Sequence, residues 1–120
     1  MNRFAIAAVL ATALGTTAIS SAHAQESATL KKIKDTGSIT LGHRESSIPF
    51  SYYDDKQQVI GYSHELMLKV VDSIKSELKL AKIDTRLMPV TSANRITLVQ
   101  NGTVDIECGS TTNNLERQKQ

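Results

Sequence analysis

Apolar residues recur at helical spacing in one long segment and in several short ones. In residues 63–78 they recur every three or four positions, which predicts an amphipathic helix with Ser63 at its N-cap. Residues 27–35 and 95–100 predict shorter helices, each followed by a glycine-containing stop signal. Residues 114–120 predict the start of a further helix, so helical segments are expected along the whole chain after residue 26.

Three short segments between those helices have the pattern of strands. Residues 38–41 and 83–88 alternate polar and apolar positions, and residues 103–108 form a short strand-like run. Helices and strands therefore alternate, which is typical of an α/β fold with a largely parallel sheet. Such sheets bind ligands in a crevice beyond the carboxyl ends of their strands. Three loops follow the predicted strands and should share that crevice: Gly42–Ser51, Val90–Asn94 and Gly109–Asn113.

Residues 1–24 differ from the rest of the chain in pattern and composition. Arg3 is their one charged side chain, residues 4–14 are nearly all apolar, and Ala22-His23-Ala24 has the small-x-small form of a cleavage site. These features predict a secretory signal peptide over residues 1–24. The alternative, a membrane anchor, is disfavoured because an apolar segment needs about 20 residues to span a bilayer.

The charge balance and the cysteine content exclude several classes of function. The 14 basic and 12 acidic residues give a net charge of +2, which is too small for a nucleic-acid-binding protein with a basic surface. An apolar content of 40% and a charged content of 22% are typical of a folded domain rather than a disordered chain. A single cysteine, Cys108, excludes an internal disulfide framework and a cysteine-rich zinc module.

The loops that follow the predicted strands carry two arginines and several hydroxyl groups. Arg44 lies in the first loop, and Arg95 directly follows the second. A guanidinium group can bind a carboxylate through two hydrogen bonds, and serine and threonine hydroxyls add further donors. This combination suits a small ligand with two carboxylates. Two arginines on loops can equally be solvated surface charges, and the residue types alone leave both interpretations open.

Other residues that could act in catalysis or bind a metal lack the partner residues that such a site needs. His43 and His64 have no second ligand at metal spacing, which favours a structural role over a metal site. Cys108 lacks a recognisable orienting group and oxyanion hole, so a buried or disulfide-bonded cysteine is favoured over a nucleophile. The carboxylates of Asp105 and Glu107 are interpreted as solvated surface acids rather than as an acid/base pair.

Four stretches of the chain resemble the glutamate/aspartate-binding proteins of bacterial ABC importers, which belong to solute-binding protein family 3. They are GHRESSIPFSYYD at 42–54, TSANRI at 91–96, QNGT at 100–103 and ECGSTTNNLER at 107–117. The pair Asn94-Arg95 and the string Gly109–Thr112 are similar to patterns in polar amino-acid-binding proteins generally. The string His43–Ser47 is more specific and points to the branch for acidic amino acids.

The resemblance implies a periplasmic-binding-protein-like fold of the second type, with two α/β lobes around a cleft. It also implies that Arg95 grips the α-carboxylate of the ligand. Arg44 and Ser92 match residues that receive the side-chain carboxylate of the ligand or lie beside it. Ser110 and Thr112 match positions that add hydroxyl or backbone contacts.

The function implied by the resemblance is capture of an acidic amino acid, glutamate or aspartate, in the periplasm and delivery to a membrane ABC permease. Such a protein acts as a monomer, uses neither a cofactor nor a metal, does not bind nucleic acid and is not an enzyme. The alternative is an enzyme of the same fold, such as a periplasmic cyclohexadienyl dehydratase. That enzyme would use the same arginines with a catalytic acid; no such acid is evident in this sequence, but it could lie in the second lobe that the resemblance implies.

Compared with the family, the chain ends early, at Gln120. Residues 25–120 are therefore expected to be the N-terminal part of the first lobe of a truncated solute-binding protein, with the second lobe absent. Family members contact the ammonium group of the ligand mainly from residues beyond this point, and a cysteine there would pair with Cys108. An open lobe leaves its arginines in water, where ion pairs are weak, so weak glutamate binding or none is expected.

Overall fold

The structure is a computed structural model that describes residues 27–120, so the predicted signal peptide over residues 1–24 lies outside the described residues. The helices α1, α2 and α3 span Ala28–Thr36, Tyr62–Glu77 and Arg95–Gln100. The strands β1 to β6 span Ser38–His43, Ser46–Ser47, Ser51–Tyr53, Val59–Ile60, Asp84–Pro89 and Ile106–Glu107. None of these helices is long and apolar enough to cross a membrane. The main helices and strands alternate, which confirms the predicted α/β class.

The central sheet is parallel and has the strand order β5-β1-β6. Leu41 in β1 pairs with Leu87 in β5 on one side and with Ile106 in β6 on the other. Because all three strands run in the same direction, their carboxyl ends meet at one edge of the sheet. The loops that follow β1, β5 and β6 leave the sheet along this edge, as the prediction of a shared crevice requires.

A hydrophobic core connects β1 with α1 and α2. Ile39 and Leu41 of β1 pack with Ile33 of α1 and with Met67 and Val71 of α2, and all five side chains are buried. Met67 and Val71 are four residues apart, so they lie one above the other on the same face of their helix. Burying one such side chain contributes about 1.5–3 kcal/mol. This cluster therefore stabilises the sheet from which the three loops emerge.

A small antiparallel sheet occupies part of the segment that the sequence predicts to be a loop, residues 42–51. It has the strand order β2-β3-β4, and Tyr52 of β3 pairs with Ser46 on one side and with Ile60 on the other. The prediction of a continuous loop is therefore wrong. Strands of two or three residues are too short to give a recognisable alternation, because their pairing depends on neighbours that the local pattern does not show.

The last strand is shorter than predicted. Only Ile106–Glu107 of the expected strand over 103–108 is regular. Val104 is buried, and the backbone N–H of Asp105 donates to the carbonyl of Thr40 at 2.9 Å, so the chain attaches to β1 just before β6 begins. The helix start predicted at residue 114 is a single 3₁₀ turn at Arg117–Lys119.

Candidate functional site

The loops after β1, β5 and β6 are held together by hydrogen bonds at the carboxyl edge of the sheet. The backbone N–H of Val90 donates to the carbonyl of His43 at 2.8 Å, which joins the first loop to the second. Ser63 Oγ, at the start of α2, donates to the carbonyl of Gly109 at 3.1 Å and fixes the third loop. The residues predicted to bind ligand all lie on these loops or at the start of α3: Arg44, Ser92, Arg95, Ser110 and Thr112.

Arg95 is the first residue of α3, and only 6% of it is exposed. Its Nε and Nη1 atoms are buried and have no hydrogen-bond partner among residues 27–120. Burying a guanidinium group is costly unless an anion pairs with it, because the positive charge loses its hydration. The side chain is therefore suited to binding a carboxylate, which can accept two parallel hydrogen bonds from one guanidinium group.

A cavity of about 540 Å³ lies between α3, β6 and the third loop, and Arg95 lines it. Thr112 lines the same cavity, so the structure brings these two predicted residues together. The volume is within the range of small-molecule sites. Arg117, which the sequence pattern does not mark, also lines the cavity and donates from Nη1 to the carbonyl of Thr112 at 2.8 Å. This bond fixes the third loop beside Arg95.

Arg44 lies at the same edge of the sheet but does not line the cavity that Arg95 lines. Its Nη1 donates to the carbonyl of Val90 and its Nε to Ser47 Oγ, each at 3.3 Å. Both bonds are longer than usual for N–H donors, so a carboxylate can compete for this guanidinium group. The structure thus places the two arginines on adjacent loops without joining them in one cavity.

Ser92 and Ser110 are exposed, and their hydroxyl groups form no hydrogen bond within the part of the chain that the structure describes. Around Ser92, the N–H of Thr91 donates to Asn94 Oδ1 at 2.8 Å, and the N–H of Asn94 donates to Thr91 Oγ1 at 3.2 Å. These reciprocal bonds fix the turn that precedes α3. The hydroxyl of Ser92 stays accessible on that turn, three residues before Arg95.

The carboxylates of Asp105 and Glu107 are not the solvated surface acids that the sequence analysis expects. The side chain of Asp105 is 3% exposed and binds Lys32 Nζ at 2.9 Å. Glu107 is half-buried, and its Oε2 accepts a hydrogen bond from Thr111 at 2.6 Å, while Oε1 is buried without a partner among residues 27–120. The sequence feature that could have indicated the position of Glu107 is its alternation with Ile106 along β6. Ile106 packs against the core, so Glu107 lies on the opposite face of the sheet.

Two histidines are buried, one at the end of β1 and one in the first turn of α2. His43 is 2% exposed and packs edge-on against the ring of Tyr53, with ring centroids 5.4 Å apart. His64 is 7% exposed, and burial lowers its pKa, while Glu65 raises that pKa and His43 lowers it further. Among residues 27–120, no three side chains of His, Cys, Asp or Glu are grouped so that they could hold a metal ion.

We expect the stability of the chain to fall as the pH is lowered through the histidine range. Because the folded-state pKa of His64 is lowered, the unfolded chain takes up the proton first and is favoured as the pH falls. The contribution of neutral His64 to the free energy of unfolding is fully present above about pH 6.5, the ordinary histidine pKa, and declines below it. Urea unfolding at a series of pH values measures this effect. His64→Leu is expected to flatten the dependence, and an unchanged slope in that variant would contradict the assignment.

The fold and the site together define an α/β lobe in which a buried arginine at the start of α3 lines an open cavity. The class is that of the type II periplasmic-binding-protein-like folds, to which the similar solved structures belong. The chain belongs to the bacterial extracellular solute-binding proteins, family 3, whose family model matches residues 39–120.

Curated relatives cover most of this chain. The L-glutamate/L-aspartate-binding protein of Pseudomonas aeruginosa is 67% identical over 77% of this chain and 31% of its own length. The glutamate/aspartate import solute-binding proteins of Salmonella typhimurium and Escherichia coli are 55% and 56% identical, over 82% and 77% of this chain and 34% and 30% of their own lengths. The chain thus spans about a third of the length of these relatives. All three are named as binding proteins.

Solved structures of the same fold include binding proteins and one enzyme. The cysteine-binding protein of Campylobacter jejuni matches with a TM-score of 0.66 and 26% identity, over 77% of this chain and 36% of its own. An ancestral cyclohexadienyl dehydratase matches with a TM-score of 0.63 and 26% identity, over 75% of this chain and 34% of its own. Domain 1 of TmArgBP in its arginine-bound form is 18% identical with a TM-score of 0.64, over 75% of this chain and 64% of its own.

Proposed function

We propose that residues 25–120 belong to the first lobe of a solute-binding protein that serves an ABC importer of acidic amino acids, glutamate or aspartate. The observation that carries the proposal is the buried guanidinium group of Arg95, whose Nε and Nη1 have no partner among residues 27–120 and which lines an open cavity between α3, β6 and residues 111–120. The names of relatives that are 55–67% identical support acidic amino acids as the ligand class.

Each of the proposed ligand residues has a distinct role. Arg95 binds the α-carboxylate through paired hydrogen bonds, and Thr112 and Ser110 on the third loop orient it. Arg44, with Ser92 nearby, receives the side-chain carboxylate. Because Arg44 lies on a separate loop and outside the cavity that Arg95 lines, the proposal requires a ligand that extends from this cavity to the loop after β1. That requirement favours a ligand with two carboxylates over a ligand with one.

The proposed activity is capture and release without a chemical reaction. Binding by arginines and hydroxyl groups requires no cofactor and no metal ion, and the names of the relatives support a binding protein rather than an enzyme. The protein acts as a monomer in the periplasm, and its partner is a membrane ABC permease that receives the amino acid. The family to which the chain belongs, an extracellular bacterial family, supports this location.

Binding by this chain on its own is expected to be weak. Two charge-assisted hydrogen-bond pairs contribute about 4 kcal/mol together, which corresponds to a Kd on the order of 1 mM. Titration of the purified chain with L-glutamate, L-aspartate and L-arginine, followed by NMR chemical shifts, tests the proposal. Glutamate and aspartate should saturate the response at millimolar concentrations, while arginine should give none. A response to arginine alone would overturn the proposed ligand class, and low-micromolar binding of glutamate would overturn the expectation that this chain binds weakly.

Gly109 determines how closely Arg44 approaches Glu107. A methyl group at Gly109 would lie 2.7 Å from Cγ of Arg44 and 2.8 Å from Oε1 of Glu107, and both are side-chain atoms that can move. We therefore expect Gly109→Ala to fold, to displace Arg44 and to weaken glutamate binding about tenfold, the effect of losing one charge-assisted bond. The same titration measures the effect. Gly102→Ala is the control, since nothing lies within 4 Å of its added methyl group, and it should bind like the wild type.

The second candidate function is that of a cyclohexadienyl dehydratase. The similar fold of the ancestral dehydratase, at 26% identity, favours it. The much higher identity to named binding proteins favours transport. Incubation of the full-length protein with prephenate separates the two candidates, because disappearance of prephenate would support the enzyme. Glutamate binding without prephenate turnover would support the transport protein.

A further inference from the structure

Ser51 is a completely buried serine in β3 to which the proposed function assigns no role. Its Oγ accepts a hydrogen bond from the backbone N–H of Arg44 at 2.9 Å and donates one to the carbonyl of Arg44 at 3.2 Å. A hydroxyl group can donate and accept at the same time, so one side chain pairs with both backbone groups of the arginine. Strand β1 ends at His43, whose Nδ1 lies 3.3 Å from the same carbonyl. Ser51 therefore fixes the backbone at the first residue after β1.

The pairing of β2 with β3 brings a second hydroxyl group to the same arginine. Ser51 of β3 lies directly opposite Ser47 of β2 in the antiparallel pair. Side chains of directly opposite residues lie on the same face of a sheet. The Oγ of Ser47 accepts a hydrogen bond from Nε of Arg44 at 3.3 Å. The two paired serines therefore contact both ends of the arginine, Ser51 its backbone and Ser47 its guanidinium group.

The side chain of Arg44 is also confined by the second and third loops. Its Nη1 donates to the carbonyl of Val90 at 3.3 Å, and the third loop passes close to its stem. A methyl group at Gly109 would lie 2.7 Å from Cγ and 3.5 Å from Cδ of Arg44. Because side chains occupy a few staggered rotamers, the position of the guanidinium group depends on where the backbone holds Cα. A displaced backbone at Arg44 would therefore move this group away from its partners on the loops.

We propose that Ser51 is a positioning residue, which holds the backbone of Arg44 so that the guanidinium group meets the side-chain carboxylate of the ligand. The inference rests on the proposed function, because it concerns an arginine of the proposed site. Ser51 is buried and acts through Arg44, without touching the ligand. Without its hydroxyl group, the arginine has to be ordered when the ligand binds, and this ordering lowers the affinity. The loss concerns the side-chain carboxylate alone, because Arg95 lies on a different element.

The test compares L-glutamate with L-glutamine, in which an uncharged amide replaces the side-chain carboxylate. The wild type and Ser51→Ala are titrated with both ligands and followed by NMR chemical shifts. We expect the wild type to prefer glutamate by about tenfold or more, and Ser51→Ala by about threefold or less. Arg44→Met should lose the preference, and adding Ser51→Ala to it should change neither affinity, because Ser51 acts through Arg44. The control Val71→Ala weakens the core between β1 and the helices and should keep the wild-type ratio.

The outcomes separate the role of Ser51 from the proposed function. If the wild type prefers glutamate and Ser51→Ala keeps the same ratio, the role of Ser51 is overturned and the proposed function stands. If Ser51→Ala weakens glutamate binding equally in the Arg44→Met background, Ser51 does not act through the arginine and its role is again overturned. A wild type that binds both ligands equally would overturn the role of Arg44 and this inference together.

A second measurement needs no ligand and decides the question when the chain gives no response to glutamate. It is the exchange with water of two protons of Arg44, the backbone N–H and the Nε–H. Ser51→Ala is expected to speed the exchange of both by about tenfold or more, because the backbone loses its acceptor and the guanidinium group its fixed position. Faster exchange at the backbone N–H alone would show that Ser51 supports the backbone without positioning the guanidinium group, and would overturn the inference.

Discussion

Replacing Arg95 with methionine is expected to abolish glutamate binding and to raise the stability of the fold at the same time. Binding should fall at least about 30-fold, because the variant loses a charge-assisted pair worth about 2 kcal/mol. Stability should rise by about 1 kcal/mol or more, because an apolar side chain of similar length replaces a buried and partly unpaired charge. Glutamate titration and urea unfolding of the same preparation measure both effects.

The matched control for this variant is Arg86→Met. Arg86 is exposed, and its Nε lies 3.5 Å from the carboxylate of Asp84, which is a weak surface pair. Its replacement removes the same charge at a distance from the cavity and should leave glutamate binding and stability close to those of the wild type. Loss of binding in both variants would show that overall charge, rather than Arg95, governs the response. Arg95→Met that binds normally would rule out the proposed carboxylate site.

The second large effect is expected at Gly61, which directly precedes α2. Its φ is 120°, and a methyl group there would lie 2.5 Å from the carbonyl oxygen of Phe50 and 2.9 Å from that of Pro49. These two carbonyls accept the backbone N–H groups of Ser63 and Tyr62, at 2.8 and 3.0 Å. Gly61→Ala therefore separates the small sheet from α2. We expect it to cost about 3 kcal/mol or more, the sum of an unfavourable backbone conformation and a steric clash.

Gly37→Ala serves as a reference variant for an unfavourable backbone conformation without a clash. Gly37 has a φ of 65°, and nothing lies within 4 Å of a methyl group placed on it, so this variant carries the conformational cost alone. It should lose about 1–2 kcal/mol. Urea unfolding of both variants gives the extra cost at Gly61, which combines the clash with a backbone conformation (φ 120°, ψ 166°) that is less accessible to other residues than that of Gly37 (φ 65°, ψ 18°). Equal losses in the two variants would contradict the tight contact between Gly61 and the small sheet.

The sequence predicts the helices and the longer strands of the central sheet well. Each of them buries one face, and burial of one face produces a regular pattern of apolar and polar residues. The long helix predicted over 63–78 is Tyr62–Glu77, and the short helix over 95–100 is found at those residues. The strand predicted over 83–88 is Asp84–Pro89. Regular alternation or helical spacing persists in each of these segments, so a local window of sequence contains enough information to define them.

Features that depend on contacts between distant residues are not visible in the sequence pattern. The small sheet β2-β3-β4 is built from strands of two or three residues, which become strands only through pairing. Asp105 is taken for a surface acid because its partner Lys32 lies 73 positions earlier in the chain. The two arginines are correctly expected near one edge of the sheet, but only the fold shows that Arg95 lines the cavity and that Arg44 lies outside it.

The most direct measurement is an NMR map of the groups that respond to L-glutamate, with nitrogen-15 labels on the arginine side chains and the backbone. We expect the Nε–H resonance of Arg95 to shift most, together with that of Arg44 and the backbone amides of Ser110 and Thr112. We expect the exposed face of α2 to stay unchanged. Shifts confined to surfaces outside the three loops, with the Arg95 resonance in place at saturation, would contradict an acidic-amino-acid site on this lobe.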